Sequence, residues 1–300
     1  MSDGRLTSLL EQQRPLLLDG AMGTELQRRG VDVGLPLWSA QALRSAPDVV
    51  LQIHRDYLVA GADIITTNTF RTTTRTFRRA GVTDHSADLT RLAVMLARKA
   101  AAEVHDRSVL VAGSMAPLED CYRPDRVPPE HQLAAEHTAH AQQLAKNGVD
   151  ILLLETMGTI REARAACRAA AATGKDVVVS FLCTPDGDLY GGESMVEAVH
   201  ALDALGVAAF SLNCISPRFL QPALSALLTA TTRPCAVYAN VGRAGEEHGG
   251  ILTEDVTVEE YARFVETWVR QGVAIVGGCC GTTPAYLEAA KRSLAAPRPG

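Results

Sequence analysis

Two adjacent cysteines, Cys279 and Cys280, follow an apolar run in the stretch VGGCCGTTP (276–284). Neighbouring thiols can ligate a metal, form a redox pair or pack as small buried hydrophobes. A third cysteine, Cys214, ends another apolar run, VAAFSLNC. If these two run ends lie close together, three thiolates could surround a metal and leave one position open, as in a catalytic zinc site. Residue types and spacing alone leave metal binding, core packing and redox chemistry open.

Glycines on both sides of the cysteine pair bear on the metal hypothesis. Two ligands in adjacent positions need an unusual backbone, and we expect Gly277, Gly278 and Gly281 to supply that freedom. An isolated cysteine pair is a weak signal of a metal site, and its placement opposite a second cysteine at a run end strengthens the signal.

The remaining four of the seven cysteines have other surroundings. Cys167 falls in a helical pattern, and Cys183 and Cys235 lie in or beside apolar runs, so we expect these three to pack in the core. Cys121 lies in a segment with four prolines (115–130), which is a candidate lid or wall of the site. The odd number and irregular spacing of the cysteines argue against a disulfide framework and favour the cytoplasm.

Four other apolar runs end in polar side chains, which are Asp19, Asn68, Glu155 and Asn240. A buried carboxylate needs a cation or hydrogen-bond donors, so the two acids could bind an ammonium or act as a general base. Asp19 could equally mark an Asp-Gly turn, and the two asparagines could bind substrate or hold loops. Trp38 follows the first run, and its ring face could receive a sulfonium or quaternary ammonium, or it could simply pack.

Eight apolar runs rich in Val, Ile and Leu alternate with eight longer amphipathic patterns. Such runs are typical of buried parallel strands, and the alternation predicts a single (β/α)8 TIM barrel. A doubly wound open sheet is the alternative, although no G-x-G-x-x-G follows the first run. In a barrel, catalytic groups lie at the carboxyl ends of the strands, which is where the polar residues and cysteines fall. The runs span 15–20, 62–68, 108–114, 149–156, 176–182, 207–214, 234–240 and 273–280.

Composition excludes several classes of protein. The chain has 300 residues and a net charge of −5 with mixed signs, so we expect one barrel domain (1–300) that binds no nucleic acid. No apolar run approaches the roughly 20 residues of a membrane span, and the N-terminus lacks the apolar core of a signal peptide. A soluble, cytoplasmic protein without membrane contacts is therefore expected, and the lack of an extension after the last helix favours a monomer.

Seven motifs, in order from about residue 10 to about residue 295, resemble the homocysteine S-methyltransferase family. The resemblance implies a (β/α)8 barrel that holds one zinc ion. It also implies that the zinc ligands, and hence the catalytic centre, are Cys214, Cys279 and Cys280. The motifs are LLLDGAMGTEL, LWSA, GADIITTNTF, LLLET, LNC, YANVG and GGCCGTTP.

The same resemblance implies a reaction. It places Asp19 and Glu155 at the amino group of the substrate amino acid, and Trp38 in the region of the methyl donor. A zinc site with three thiolates would bind homocysteine as its thiolate, whose sulfur attacks the methyl group of a positively charged donor and yields methionine.

The identity of the methyl donor is a separate question. The TNTF stretch also resembles the homocysteine domain of cobalamin-dependent methionine synthases, but the chain has no room for cobalamin or folate domains. A small-molecule donor is therefore expected, with S-methylmethionine first, S-adenosylmethionine second and betaine third. The alternatives are another thiol acceptor, a corrinoid partner protein as methyl donor, or a barrel that binds metal without catalysis.

Overall fold

A computed structural model describes residues 4–241 and 256–295 of the chain. Eight parallel strands form one sheet in the order β1-β8-β7-β6-β5-β4-β3-β2. The strands are β1 (Leu16–Leu17), β2 (Ile64–Thr66), β3 (Leu110–Met115), β4 (Ile151–Met157), β5 (Asp176–Phe181), β6 (Val207–Asn213), β7 (Cys235–Ala239) and β8 (Ile275–Gly278).

The first and last strands of this order meet, so the sheet closes. A parallel bridge joins Leu18 to Ile64, and the Asp19 amide donates to the Ile64 carbonyl oxygen at 2.9 Å. On the other side of the bridge, the Asp63 amide donates to the Leu17 carbonyl oxygen at 2.7 Å. This closure confirms the predicted (β/α)8 barrel and excludes the open doubly wound sheet.

Twelve helices surround the barrel in the described part of the chain. Each strand is followed by one principal helix, as the sequence predicts, and these are α4 and α6 to α12. The helices are α1 (Arg5–Leu10), α2 (Gly23–Arg28), α3 (Ala42–Ser45), α4 (Pro47–Ala60), α5 (Thr74–Arg79), α6 (Ser86–Ala102), α7 (Glu130–Lys146), α8 (Ile160–Ala171), α9 (Met195–Asp203), α10 (Gln221–Ala230), α11 (Val258–Arg270) and α12 (Pro284–Ala295).

Two apolar layers explain why the strands are continuously apolar. Successive side chains of a strand point to opposite faces, so Leu16 and Leu18 join the barrel interior while Leu17 packs towards the helices. In β4, Leu153 is interior and Leu152 exterior in the same way. Both faces of each strand are therefore dry, and no alternation of apolar with polar residues is left in the sequence.

Helix α1 covers the amino-terminal end of the barrel. Its Leu6 and Leu9 are buried among the interior side chains, and the Leu6 amide donates to the Asp176 carboxylate at 3.2 Å. Arg5 pairs with Asp150, whose other oxygen accepts from the Val111 amide at 2.8 Å. The acids at this end thus hold helix and strands together, and the opposite end is left open.

The proline-rich segment 115–130 crosses the carboxyl end of the barrel. Its one regular piece is a single 3-10 turn at Pro124–Arg126, so the predicted loop is confirmed. Glu119 anchors the segment, because its carboxylate pairs with Arg75 at 2.8 Å and with Arg79. Within residues 4–241 and 256–295, no helix is long and apolar enough to cross a membrane.

Candidate active site

The carboxyl ends of the strands enclose an open cavity of about 140 Å³. It collects residues from the ends of seven strands, all except β5, and from the segment after β1. Seven of the eight predicted site residues line it, which are Asp19, Trp38, Asn68, Glu155, Cys214, Cys279 and Cys280. The eighth, Asn240, is not among the lining residues.

The three cysteines converge on one side of the cavity. Their sulfur atoms all lie within 4.8 Å of one another, and the sulfurs of Cys214 and Cys279 are 2.9 Å apart. The hydrogen bond with Cys279 raises the pKa of the Cys214 thiol well above its usual value. The thiols of Cys214 and Cys279 in turn stabilise Cys280 as a thiolate, so its pKa is lowered. Three thiols this close favour at least one anionic sulfur.

Such a cluster fits the ligand set of a zinc ion. Thiolates at about 2.3 Å from a tetrahedral zinc lie roughly 3.8 Å from each other. The observed cluster needs Cys214 and Cys279 to separate by about 1 Å, which is within reach of a side-chain adjustment. Within residues 4–241 and 256–295, this is the single group of three such ligand atoms close enough for a metal.

The backbone brings the three cysteines together at a cost in conformational free energy. Cys214 has φ of 57°, a left-handed conformation that a non-glycine residue adopts rarely. Of the three neighbouring glycines, only Gly281 has a positive φ, at 84°. Gly277 is needed for a different reason, because a Cβ there would lie 2.7 Å from Leu18, the residue after β1. Our expectation that all three glycines supply backbone freedom is therefore right for Gly281, whereas close packing explains Gly277 and Gly278.

Asp19 lies on the wall of the cavity next to β2. Its carboxylate accepts from the Thr66 amide at 2.7 Å and from the Thr66 hydroxyl at 2.9 Å. Burial raises the pKa of Asp19 to about 8, although the Thr66 hydrogen bonds oppose this and Glu155 adds to it. A positive group in the cavity would stabilise the charged form of this acid.

Glu155 lies near the end of β4. Its charge acts on Asp19, and the charge of Cys279 acts on Glu155. Burial raises the pKa of Glu155 to about 7, opposed by a hydrogen bond from the Ser114 hydroxyl and assisted by Cys279. The next residue, Thr156, has φ of 57° and donates its amide to Asn213 at 3.0 Å. The turn in the backbone at Thr156 presents Glu155 to the cavity.

Two half-buried aromatic side chains line the cavity. Trp38 begins a short 3-10 helix (Trp38–Gln41) and lines the cavity together with Phe70. Its indole packs on Gly23, where a Cβ would lie 2.5 Å from Nε1. Asn68 holds this segment, because its side-chain amide donates to the Ser39 carbonyl oxygen at 2.8 Å. The face of an aromatic ring is a favourable neighbour for a cation.

Asn240 lies beside the cavity rather than in its wall. Its amide donates to the Ile215 carbonyl oxygen at 3.0 Å, just beyond Cys214. The side-chain oxygen is buried and has no hydrogen-bond partner among the described residues. Its predicted contact with substrate stays a prediction.

Sequence reasoning missed several residues of the site. Thr66 and Ser114 position the two acids, and Tyr238 lines the cavity, where its hydroxyl is close enough to Glu155 to oppose the rise of that acid's pKa. Thr66 and Ser114 lie near strand ends, as the predicted residues do, but each is an ordinary buried polar residue by type. Tyr122, in the proline-rich segment, lies close enough to the thiols that they add to the effect of burial in raising its pKa.

Cys121 lies in the same proline-rich segment. Burial raises the pKa of its thiol to about 12, and the charge of Cys279 adds to this shift. Its carbonyl oxygen would be 3.2 Å from a Cβ at Gly158, so the segment packs tightly against the end of β4. The segment 115–130 therefore lies close to the thiols, although none of its residues lines the cavity, and its role as a lid or wall stays a prediction. The other three cysteines, Cys167, Cys183 and Cys235, are buried in the core as expected.

Comparisons with known proteins agree with this geometry. The family model for homocysteine S-methyltransferases matches residues 16–294. A selenocysteine methyltransferase from Astragalus bisulcatus is 32% identical over 323 residues, which cover 95% of this chain and 94% of the relative. Homocysteine S-methyltransferase 3 from Arabidopsis thaliana is 32% identical over 310 residues, covering 93% and 89% of the two chains.

A solved structure shows the same architecture. The metallated form of the homocysteine methyltransferase MmuM from Escherichia coli superposes with a TM-score of 0.83 at 32% sequence identity. The superposition covers 96% of this chain and 99% of that one. Because the family model spans nearly the whole barrel and these relatives match along almost their full length, the chain belongs to the homocysteine S-methyltransferase family.

Proposed function

We propose that this chain is a zinc-dependent enzyme that transfers a methyl group from a small sulfonium donor to the thiol of L-homocysteine, yielding methionine. The observation that carries the proposal is the convergence of Cys214, Cys279 and Cys280 on a cavity that also holds two buried acids. The three thiols would hold the metal. When bound, zinc supplies positive charge that keeps a substrate sulfur in its thiolate form at neutral pH.

Asp19 and Glu155 would orient the amino acid. Both acids lie in the same cavity as the thiols, and burial makes their charged forms costly in the absence of a cation. The ammonium of an amino acid removes this cost, so the two acids select a substrate with a free amino group. Anchoring the ammonium there points the short side chain of homocysteine towards the cysteines.

The methyl transfer itself needs little acid–base chemistry. The substrate thiolate attacks the methyl carbon in line, a new S–C bond forms, and the donor's own S–C bond breaks to release a neutral thioether. No proton moves in this step, so the chain contributes orientation, exclusion of water and a favourable surface for the cation. Trp38 and Phe70 would offer ring faces to the sulfonium.

The methyl donor is the second substrate. We propose S-methylmethionine as the first candidate, S-adenosylmethionine as the second and betaine as the third, because the ring faces of Trp38 and Phe70 suit a small cation. Among the acceptors, selenocysteine is a second candidate, because two relatives are named selenocysteine methyltransferases. We further propose that the enzyme acts as a monomer in the cytoplasm, where its seven free thiols would stay reduced.

The test is a donor and acceptor screen on zinc-loaded protein. Homocysteine and selenocysteine are each offered with S-methylmethionine, S-adenosylmethionine and betaine, and methylated products are followed by mass spectrometry. We expect methionine from homocysteine and S-methylmethionine. Protein that holds about one zinc per chain but yields no methylated product from any pair would disprove the proposed reaction and leave the fold and the metal site standing.

A further inference from the structure

Arg71 is a cation next to the cavity, although it is not one of the residues that line it. It directly follows Phe70, which lines the cavity, and its guanidinium carbon lies 5.3 Å from the centre of the Phe70 ring. The side chain is largely withdrawn from solvent, and burial lowers the pKa of its guanidinium. A charge in such a place needs an anionic partner or several hydrogen bonds.

No such partner is present in the described part of the chain. No carboxylate within residues 4–241 and 256–295 forms an ion pair with Arg71, and its buried Nε has no hydrogen-bond acceptor there. The nearby acids are engaged elsewhere. Glu119 pairs with Arg75 and Arg79, and Asp120 accepts from the Tyr122 amide at 3.0 Å. The described residues therefore leave the Arg71 guanidinium without a directly paired carboxylate.

Arg71 also lies on the side of the thiols. It is close enough to Cys121 to oppose the rise of that thiol's pKa, and Cys121 in turn interacts with Cys279 and Cys280. The guanidinium lies against the ring of Phe70, which we assign to the donor's sulfonium. This contact places the cation of Arg71 on the donor's side of the cavity.

We propose that Arg71 binds the carboxylate of the methyl donor, so that the donor is a sulfonium amino acid and not simply any small sulfonium. This assignment rests on the proposed methyl transfer. With the methyl group facing the acceptor sulfur, the rest of the donor extends towards Arg71. A guanidinium binds a carboxylate through two parallel hydrogen bonds, which fixes the donor's orientation as well as its position. Between the two ends, the sulfonium would lie against Phe70 and Trp38.

The experiment compares a donor that has a carboxylate with one that lacks it. Methionine formation from homocysteine is measured with S-methyl-L-methionine and with trimethylsulfonium, for the wild type and for Arg71→Met and Arg71→Lys. We expect Arg71→Met to lower kcat/KM for S-methylmethionine about 10- to 100-fold, the loss of a charge-assisted contact. Turnover of trimethylsulfonium and the KM for homocysteine should stay unchanged, and Arg71→Lys should recover part of the loss.

Arg79→Met is the matched control, because Arg79 is a nearby arginine that is already paired with Glu119. It should leave both donors unaffected. Equal loss with both donors in Arg71→Met would assign Arg71 a structural role, and a rise confined to the KM for homocysteine would assign it to the acceptor; either result overturns the proposal.

The wild type alone provides a second check that does not depend on how a variant folds. Equal KM values for S-methylmethionine and trimethylsulfonium would overturn the carboxylate subsite while leaving the methyl transfer intact. Absence of methionine with every donor would instead disprove the methyl transfer, and this subsite with it.

Discussion

At the residue scale, backbone strain coincides with the candidate site. Four non-glycine residues have a left-handed φ within the described ranges, and three of them, Trp38, Thr156 and Cys214, lie at or next to the cavity. Each such residue costs about 1–3 kcal/mol. The surrounding barrel stabilises these conformations. As a result, the Trp38 indole, the Glu155 carboxylate and the Cys214 thiol all line one cavity.

Single substitutions of the three clustered cysteines test the metal site. Cys214→Ser, Cys279→Ser and Cys280→Ser should each reduce bound zinc well below one per chain and lower kcat/KM by about 10²-fold or more, since even indirect disturbance of a metal site costs 10- to 100-fold. Zinc is measured by mass spectrometry of the metal, and activity by methionine formation. Cys167→Ala, which removes a core thiol far along α8, should retain the zinc. Full activity of all three serine variants without zinc would rule out the proposed ligands.

The pKa values of Asp19 and Glu155 predict how the affinity for an amino acid depends on pH. Their pKa values, raised to about 8 for Asp19 and about 7 for Glu155, mean that both become neutral as pH falls below these values. An ammonium needs at least one charged carboxylate, so affinity should rise as pH increases from about 6 to about 8. L-Norleucine, which has no thiol to titrate, is the suitable competitive inhibitor, and its Ki is followed across this range.

Matched variants separate the acids from other titrating groups. Glu155→Gln should weaken norleucine binding about 10- to 100-fold and reduce its dependence on pH. Thr66→Val, which removes one hydrogen bond to Asp19, should shift the pH dependence to higher values because the charged form loses a donor. A Ki that is independent of pH in the wild type would contradict the role of both acids.

At the element scale, the short helix α1 acts as a plug for the amino-terminal end of the barrel. Leu6 is fully buried there, with 0% exposure, among the interior side chains. Leu6→Ala should lower the free energy of unfolding by about 2–5 kcal/mol, because it leaves a cavity where the interior cannot collapse. Thr7→Ala, on the exposed side of the same helix, is the control. Urea denaturation measures both, and a change below about 0.5 kcal/mol for Leu6→Ala would show that the plug contributes little.

The two ends of the barrel use acids differently. Asp63, Asp150 and Asp176 at the amino-terminal end accept from strand or helix amides, and the first two also pair with arginines. Asp19 and Glu155 at the other end have no arginine partner in the described residues. The acids at the amino-terminal end of the strands therefore stabilise the barrel. The two acids at the carboxyl end have no such partner and are available to a cationic group.

At the scale of the whole molecule, a buried histidine couples stability to pH. His54 in α4 is 0% exposed, has no hydrogen-bond partner for either ring nitrogen within the described ranges, and has its pKa lowered by burial to about 4. The unfolded chain binds a proton at a pH of about 6.5, and the folded chain only near 4. Stability from this group is therefore complete above about 6.5 and is lost as pH falls, by about 1.4 kcal/mol for each pH unit between the two values.

Replacement of His54 should reduce the dependence of the free energy of unfolding on pH. The free energy of unfolding of the wild type is measured in urea from pH 7 to pH 4.5, beside His54→Leu, which keeps an apolar side chain of similar size. We expect a smaller loss of stability in His54→Leu, and an unaltered loss in the exposed control His105→Leu. Identical slopes for wild type and His54→Leu would mean that His54 is not the group responsible.

The strands, the principal helices and most of the candidate site residues could be predicted from local patterns in the sequence. The continuous apolar runs and the amphipathic stretches predict eight strands and eight principal helices, because burial on both faces and a helical period leave direct traces in residue order. Polar residues at the ends of these runs, such as Asp19, Glu155 and Cys214, were identifiable because the buried strands are otherwise apolar.

Only the tertiary structure decided how these residues are arranged. Closure of the sheet depends on β1 pairing both with β2 and with β8, which lies near the other end of the chain, and periodicity does not record which strands pair. Thr66 and Ser114 acquire their roles from contacts with residues 47 and 41 positions away. Asn240 falls outside the cavity lining, and Arg71 has no ion-pair partner among the described residues, because burial and partners depend on what the fold places nearby. Residue type and spacing carry local information, whereas charge compensation is a property of packed neighbours.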